Sequence, residues 1–180
     1  AMNTLGAGAD REEVTLACLS FLNSLCEVES NFHAEGEEDG GACHNFVAVM
    51  APSLLEVLMP LMQQQDEGQV DEDWTVSIAA GKLLQTIVPL LPEQQFLDLL
   101  QFAKSNMSAG RNNTKTWRER EAAFMVIGTV INSYNPDNSQ GDILRSSQLA
   151  ELLAADLIPG TLDETYGQNP QVQDTAAWVG

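Results

Sequence analysis

Apolar residues along this chain recur with the three- and four-residue spacing of amphipathic helices, and no segment shows the strict alternation of a strand. Polar stretches rich in glycine and acidic residues separate these segments, and they are predicted to be loops. The sequence therefore predicts an all-α protein. Helices are predicted at Glu12–Glu29, Phe46–Gln64, Trp74–Leu91, Glu93–Asn106, Trp117–Ser133 and Asp142–Leu157, with a last one that opens at Asn169 and Pro170.

Residues at the predicted helix ends support these boundaries. Thr116 is expected to cap the fifth helix, with Glu119 completing a capping box three residues later. Pro92 lies where a first-turn proline is favourable. Pro52 and Pro60 fall inside the second helix, which we therefore expect to start late or to kink.

A pair of small residues recurs inside the apolar helical stretches. The pairs begin at Ala79, Ala122 and Ala176, and so they lie 43 and 54 residues apart. Repetition at about 40 to 47 residues is typical of HEAT and armadillo repeats, whose helix pairs bury their apolar faces only by stacking. The expected fold is an α-α superhelix of about three and a half repeats of antiparallel helix pairs.

The repeat pattern gives an expected organisation of residues 1–180 as one segment of a longer solenoid. The sequence stops at Gly180 inside an apolar helical pattern without a stop signal, which suggests that the solenoid continues. The expected parts are an inner helix at 11–30, a repeat at 44–91 with an acidic loop at 65–73, a repeat at 92–134 and a truncated repeat at 141–180.

The charge of the chain narrows the class of partner. The formal net charge is −18, and the stretch from Glu12 to Gly81 contains 14 acidic residues and no Lys or Arg. Such a field repels nucleic acids and anionic membranes, and it attracts basic proteins. The alternative interpretation is a solvated acidic surface that only aids solubility.

The cysteine positions, the metal-ligand spacing and the search for catalytic motifs give little support to the interpretation that this protein is an enzyme. Cys18 and Cys26 lie in an apolar helical pattern and are predicted to be core thiols, while an odd cysteine count suits a reducing compartment. His33 lies in an acidic stretch without the spacing of a helical metal site. With no nucleotide-binding or nucleophile motif, no catalytic residue, metal or cofactor is predicted. Neither a transmembrane run nor a secretory signal is visible.

Four segments resemble importin-β, the karyopherin-β family of nuclear import receptors. Residues 66–81, DEGQVDEDWTVSIAAG, resemble its acidic loop and the helix that follows. WREREAAFMVIG at 117–128 and DTAAWVG at 174–180 resemble the next two inner helices, and VTLACLSFLNSLCE at 14–27 resembles the preceding one. The resemblance covers essentially the whole chain, with the motifs in the family's order and spacing.

Three departures from the family pattern are visible. A Glu and an aromatic pair are usual in the first inner helix, where this chain has Ser20, Phe21 and Leu22. Gln173 stands where the family usually has an Arg that contributes to a ladder of Asp–Arg pairs. The acidic loop is also diluted by the uncharged residues of 68–70.

The resemblance implies a protein-binding function on the inner helices. In the family, this surface grips the basic importin-β-binding helix of the importin-α adaptor, and it also binds basic cargo. Carboxylates form charge-assisted hydrogen bonds with the cationic groups of Arg and Lys, and indole faces make stacking and cation–π contacts with these side chains. The candidates for this contact are Glu27, Glu29, Trp74, Asp174 and Trp178.

Two further partners are implied by the resemblance. The family's acidic loop contacts the GTPase Ran and couples Ran binding to cargo release, which makes Asp66, Glu67, Asp71, Glu72 and Asp73 candidates. Grooves between outer helices take Phe-Gly repeats of nucleoporins, with Leu58, Phe96 and Phe102 as possible contributors, although core packing also explains these three. The implied location is the cytoplasm, the nucleus and the nuclear pore.

Two alternatives stay open. Another karyopherin would bind cargo directly, and a HEAT scaffold such as a phosphatase regulatory subunit would have no transport role. The acidic loop that ends in Trp74 favours the importin-β resemblance over both.

Overall fold

The computed structural model describes residues 2–35, 45–65, 74–107, 116–133, 139–146 and 169–179. All regular structure in these ranges is helical, as the sequence predicts, and it divides into two compact units, 1–90 and 91–180. The α-helices are α1 (Met2–Glu35), α2 (Phe46–Met62), α3 (Val76–Ile87), α4 (Glu93–Met107), α5 (Trp117–Asn132), α6 (Ser139–Ser146) and α7 (Pro170–Val179).

The first unit is built around α3, which packs against both α1 and α2. Helix α3 follows Thr75, whose hydroxyl accepts a hydrogen bond from Ile78 N at 3.5 Å. Both residues of the pair Ala79 and Ala80 are buried, so the small side chains let neighbouring helices approach closely. A one-turn 3-10 helix, Val88–Leu90, ends the unit.

Helix α2 starts at Phe46 in spite of its two prolines. Pro52 and Pro60 both lie inside the helix, and both are exposed to solvent. The helix therefore does not start late, contrary to one of our expectations. Its apolar stripe, with Val47 and Leu58 fully buried, faces the core of the unit.

Helix α1 is longer at both ends than the predicted Glu12–Glu29, because it begins at Met2 and continues to Glu35. Only part of its apolar surface is covered. Leu19 and Cys26, seven residues apart on one face, are buried, whereas Val14 and Phe21 are exposed.

The prediction that Cys18 is a core thiol is therefore wrong, while the same prediction for Cys26 is confirmed. One residue along a helix is a rotation of about 100°, which turns Cys18 away from the face that carries Leu19. Burial raises the pKa of the Cys26 thiol to about 11, and the nearby charge of Glu29 adds to this effect.

The second unit is built around α5, which packs against α4 and α7. Most side chains of α5 are buried, including Ala122 and Ala123, as expected of a helix covered on more than one side. Helix α6 packs against α4, and Gln140 donates a hydrogen bond at 3.1 Å to the Leu91 carbonyl just before α4.

Local capping fixes the starts of α5 and α7. The predicted capping box is confirmed: Thr116 Oγ1 accepts from Glu119 N at 3.4 Å, and Glu119 Oε2 accepts from Thr116 N at 2.6 Å. At α7, Asn169 Oδ1 accepts from Gln171 N at 3.0 Å, with Pro170 in the first helical position. Both helices therefore begin where the sequence indicates.

Candidate partner-binding residues

Helix α7 carries the first pair of candidates, Asp174 and Trp178. Residues four apart on a helix share one face, with their Cβ atoms about 5 to 6 Å apart. Asp174 is exposed, and Trp178 keeps 45% of its surface accessible. This helix therefore offers an exposed carboxylate one turn before an exposed indole.

The indole of Trp178 lies against α5 at Gly128. A Cβ atom added to Gly128 would meet the six-membered part of the ring, 2.6 Å from Cε3, 2.8 Å from Cη2 and closer still to Cζ3. These separations are far inside the 3.5 to 4.0 Å of ordinary carbon contacts. Only a residue without a side chain allows this approach.

A polar contact also joins α5 and α7. Thr175 Oγ1 donates a hydrogen bond at 2.8 Å to Glu121 Oε1, and Glu121 is buried. Glu119 and Glu121 both lie near the start of α5, where acidic side chains interact favourably with the helix dipole. Glu119 occupies the first turn, whereas Glu121 lies two residues further on and contacts α7.

Two glutamates near the end of α1 were predicted to act together, but the structure separates their roles. Glu27 is exposed, and it accepts a hydrogen bond from Asn23 Nδ2 at 2.8 Å. Asn23 in turn accepts from the Thr86 hydroxyl of α3 at 2.8 Å. Glu27 is thus exposed beside a polar contact between α1 and α3.

Glu29, only two residues away, is 3% exposed. Its Oε2 accepts a hydrogen bond from Val47 N at 3.1 Å, close to the start of α2, and His33 Nε2 lies 3.9 Å from Oε1. The carboxylate therefore stabilises the junction of α1 and α2. We correct the expectation for Glu29, because a buried carboxylate presents almost no surface to a partner.

Trp74 lies two residues before α3 and is 59% exposed. A Trp just after a loop could instead cover the core between repeats, but an indole this exposed is not a core residue. The acidic residues that precede it, Asp66, Glu67, Asp71, Glu72 and Asp73, lie outside the described residues.

Trp117, by contrast, is 7% exposed at the start of α5. The Arg118 guanidinium lies 4.5 Å from the centre of its ring, as a cation–π pair. This burial fits a structural role for Trp117.

A groove of about 450 Å³ lies between α4 and α6, lined by residues that include Leu97, Lys104 and Ile143. The sequence named Leu58, Phe96 and Phe102 as possible groove residues. Leu58 and Phe96 are buried core residues, and neither of them lines this groove. Among the exposed residues of α4, Leu97 is the better candidate.

The described residues contain no cluster of three or more His, Cys, Asp or Glu side chains that could hold a metal ion. Within the same ranges, no helix is long and apolar enough to cross a membrane.

Sequence reasoning missed three residues that make the contacts described above, namely Gly128, Thr175 and Asn23. Gly128 stood inside the quoted WREREAAFMVIG motif, but its partner lies 50 residues away in sequence. A glycine inside an apolar helical pattern was the available signal, because it marks a close approach.

Three curated relatives are similar to most of this chain. Importin subunit beta-1 of Schizosaccharomyces pombe is 29% identical over 75% of the chain, and that of Saccharomyces cerevisiae is 27% identical over 93%. Importin subunit beta-1 of Arabidopsis thaliana is 26% identical over 94%. The chain is homologous to a segment of importin-β. It spans 16 to 19% of the length of these relatives.

Solved importin-β structures share the fold. A structure of yeast importin-β superposes with a TM-score of 0.72 at 24% identity, and a crystal structure of importin-β in an ammonium sulfate condition gives 0.70 at 21%. Each comparison covers 93% of this chain and 18% of the importin-β chain. The predicted all-α HEAT-repeat fold is thereby confirmed. No protein-family model matches the sequence.

Proposed function

We propose that this importin-β homologue is part of a nuclear transport receptor that binds basic protein segments and has no catalytic activity. The proposed ligand is the basic importin-β-binding helix of an importin-α adaptor, together with basic cargo. The observation that carries the proposal is the exposed Asp174 and Trp178 pair on α7, within a segment homologous to importin-β. The receptor is proposed to act in the cytoplasm, the nucleus and the nuclear pore.

The physical basis is complementarity of charge and shape. A carboxylate gives charge-assisted hydrogen bonds to guanidinium and ammonium groups. An indole face adds about 0.5 to 2 kcal/mol per cation–π contact. The net charge of −18 steers a basic ligand toward the chain and raises the association rate.

Each compact unit contributes its own candidates. In the second unit these are Asp174 and Trp178, and in the first they are Glu27 and Trp74, which are exposed. Glu29 is omitted because its carboxylate is buried at the start of α2.

Ran regulation is proposed for the acidic stretch before Trp74. Its carboxylates, Asp66, Glu67, Asp71, Glu72 and Asp73, attract a basic patch of a GTPase by the same electrostatics. One set of atoms cannot pair with two basic partners at once, so Ran binding there would release cargo held by these groups.

Phe-Gly repeats of nucleoporins are proposed as ligands of the groove between α4 and α6. Leu97 and Ile143 give apolar contacts for an aromatic ring, and Lys104 and Gln101 supply polar groups at the same groove.

The test is titration of the full 180-residue chain with a fluorescent importin-β-binding-domain helix at two salt concentrations. We expect binding that weakens with salt, since the Debye length is about 10 Å at 0.1 M. Trp178→Ala should weaken binding about 2- to 30-fold, which corresponds to one lost cation–π contact. Far-UV circular dichroism of every variant checks that the helical fold is retained.

Asp174→Asn and Asp98→Asn form a matched pair of variants. Both remove one exposed negative charge, but Asp98 lies on α4, where it accepts a hydrogen bond from Gln94 at 2.9 Å. Only Asp174→Asn should raise the dissociation rate of the basic helix. Equal effects of the two variants would indicate general charge steering instead of a site on α7. A folded chain that binds no basic helix at low salt would refute the proposal.

A further inference from the structure

The close contact between α5 and α7 is the starting observation. Gly128 is buried in α5, between Ile127 and Thr129, which are also both buried. The benzene part of the Trp178 indole occupies the space where any other residue would place its Cβ atom. The indole thus rests on the helix backbone itself.

Trp178 is nevertheless only partly covered, because 45% of its surface remains exposed. One part of the ring is therefore held by α5, and another part faces solvent. Rigid support of this kind removes rotamer freedom before a ligand arrives, so less conformational entropy is lost on binding.

We propose that Gly128 is a positioning residue, which seats the Trp178 indole so that its exposed surface, with Asp174, receives an arginine side chain of the basic partner. This inference rests on the proposed function, and it adds a residue and a ligand preference to it. Gly128 acts through Trp178 and is not itself in contact with the ligand.

Arginine is favoured over lysine for a physical reason. A guanidinium is planar, so it can stack on a fixed ring while it donates two parallel hydrogen bonds to a carboxylate. A lysine ammonium is a point charge that gains less from a ring held in one orientation. The chain already stacks Arg118 on Trp117 with 4.5 Å between the guanidinium carbon and the ring centre.

The first test is a double-mutant cycle on thermal stability. Alanine is a better helix former than glycine, so Gly128→Ala should raise Tm wherever no ring is in the way. With Trp178 present, the clash with the ring should reverse the sign and lower Tm. In a Trp178→Ala background the same substitution should raise Tm. A rise in both backgrounds would overturn the seating of the ring.

The second test observes the ring directly and needs no ligand. The chain has three Trp residues, so 5-fluorotryptophan labelling gives three ¹⁹F signals, and Trp178→Phe identifies the one from position 178. Gly128→Ala should move the Trp178 signal toward that of a solvent-exposed indole and leave those of Trp74 and Trp117 unchanged. An unmoved Trp178 signal in a folded variant would contradict the proposal.

The third test measures ligand binding, with an arginine-rich helical peptide and its all-lysine counterpart as the probes. Gly128→Ala should weaken arginine-peptide binding about 2- to 30-fold, as expected for one lost cation–π contact. It should cause no further loss in the Trp178→Ala background. The lysine peptide should be affected less.

The outcomes separate this inference from the proposed function. If neither peptide binds the folded wild-type chain, the proposed function fails, and the binding role of Gly128 fails with it. If binding of the arginine peptide is weakened by Trp178→Ala but is unchanged by Gly128→Ala, the proposed function stands and the positioning role is refuted.

Discussion

Replacing Glu29 by Ala gives the most direct test of how the first unit is held together. Helix α2 begins after Asn45, which has a left-handed backbone with φ of 49° and makes no side-chain capping bond. The Glu29 carboxylate performs that function from α1, with its Oε2 atom 3.1 Å from Val47 N. Glu29→Ala therefore removes the charged hydrogen-bond acceptor of the buried Val47 N–H.

The expected magnitude follows from two comparable losses. Removing a capping side chain costs about 0.5 to 2 kcal/mol, and an unmade buried hydrogen bond costs about 1 to 3 kcal/mol. We therefore expect Glu29→Ala to lower the free energy of unfolding by about 1.5 to 3 kcal/mol. Glu29→Gln keeps an acceptor oxygen and loses only the charge at the helix N-terminus, for about 0.5 to 1 kcal/mol.

Urea unfolding followed by circular dichroism measures these changes, with hydrogen exchange of the α2 amides as the local probe. Glu27→Ala is the matched control, because the same side chain is removed two residues away at an exposed position. Its effect on stability should stay within about 0.5 kcal/mol. The reasoning is refuted if Glu27→Ala and Glu29→Ala destabilise equally, or if Gln at position 29 is as damaging as Ala.

Four further predictions concern individual side chains. Cys18 should be alkylated readily by iodoacetamide in the folded chain, and Cys26 slowly, as peptide mass spectrometry would show; equal rates would contradict the burial of Cys26. Since the pKa of Cys26 is raised from 9.0 to about 11, its contribution to stability is complete below pH 9. This contribution is then lost as the pH rises through 11. Between pH 9 and 11, Tm should therefore fall less in the Cys26→Ala variant than in the wild-type chain. Thr175→Val should lower the free energy of unfolding by about 1 to 2 kcal/mol because the buried Glu121 carboxylate loses a donor, whereas Thr175→Ser should restore it. Thr116→Ala should cost about 1 kcal/mol in urea unfolding, and Thr116→Ser much less; similar losses from both would show that the capping oxygen is unimportant.

The sequence by itself determined where the helices lie, because periodicity and capping are local properties. Helix α5 was predicted to within one residue at its end, since Thr116 and Glu119 make their capping bonds within a single turn. The Ala pairs and the quoted motifs also indicated the repeat class, which the importin-β structures confirm. The exposed Asp174 and Trp178 could be placed on one helix face from their spacing alone.

Only the tertiary structure decided which acidic and small residues are available to a partner. Glu27 and Glu29 have the same chemistry and lie two residues apart, yet one is exposed and the other caps a helix whose Val47 lies 18 residues away. The seat of Trp178 on Gly128 likewise joins positions 50 residues apart. Burial and pairing of this kind depend on which helices meet and at what rotation, and no local pattern of residues contains that information.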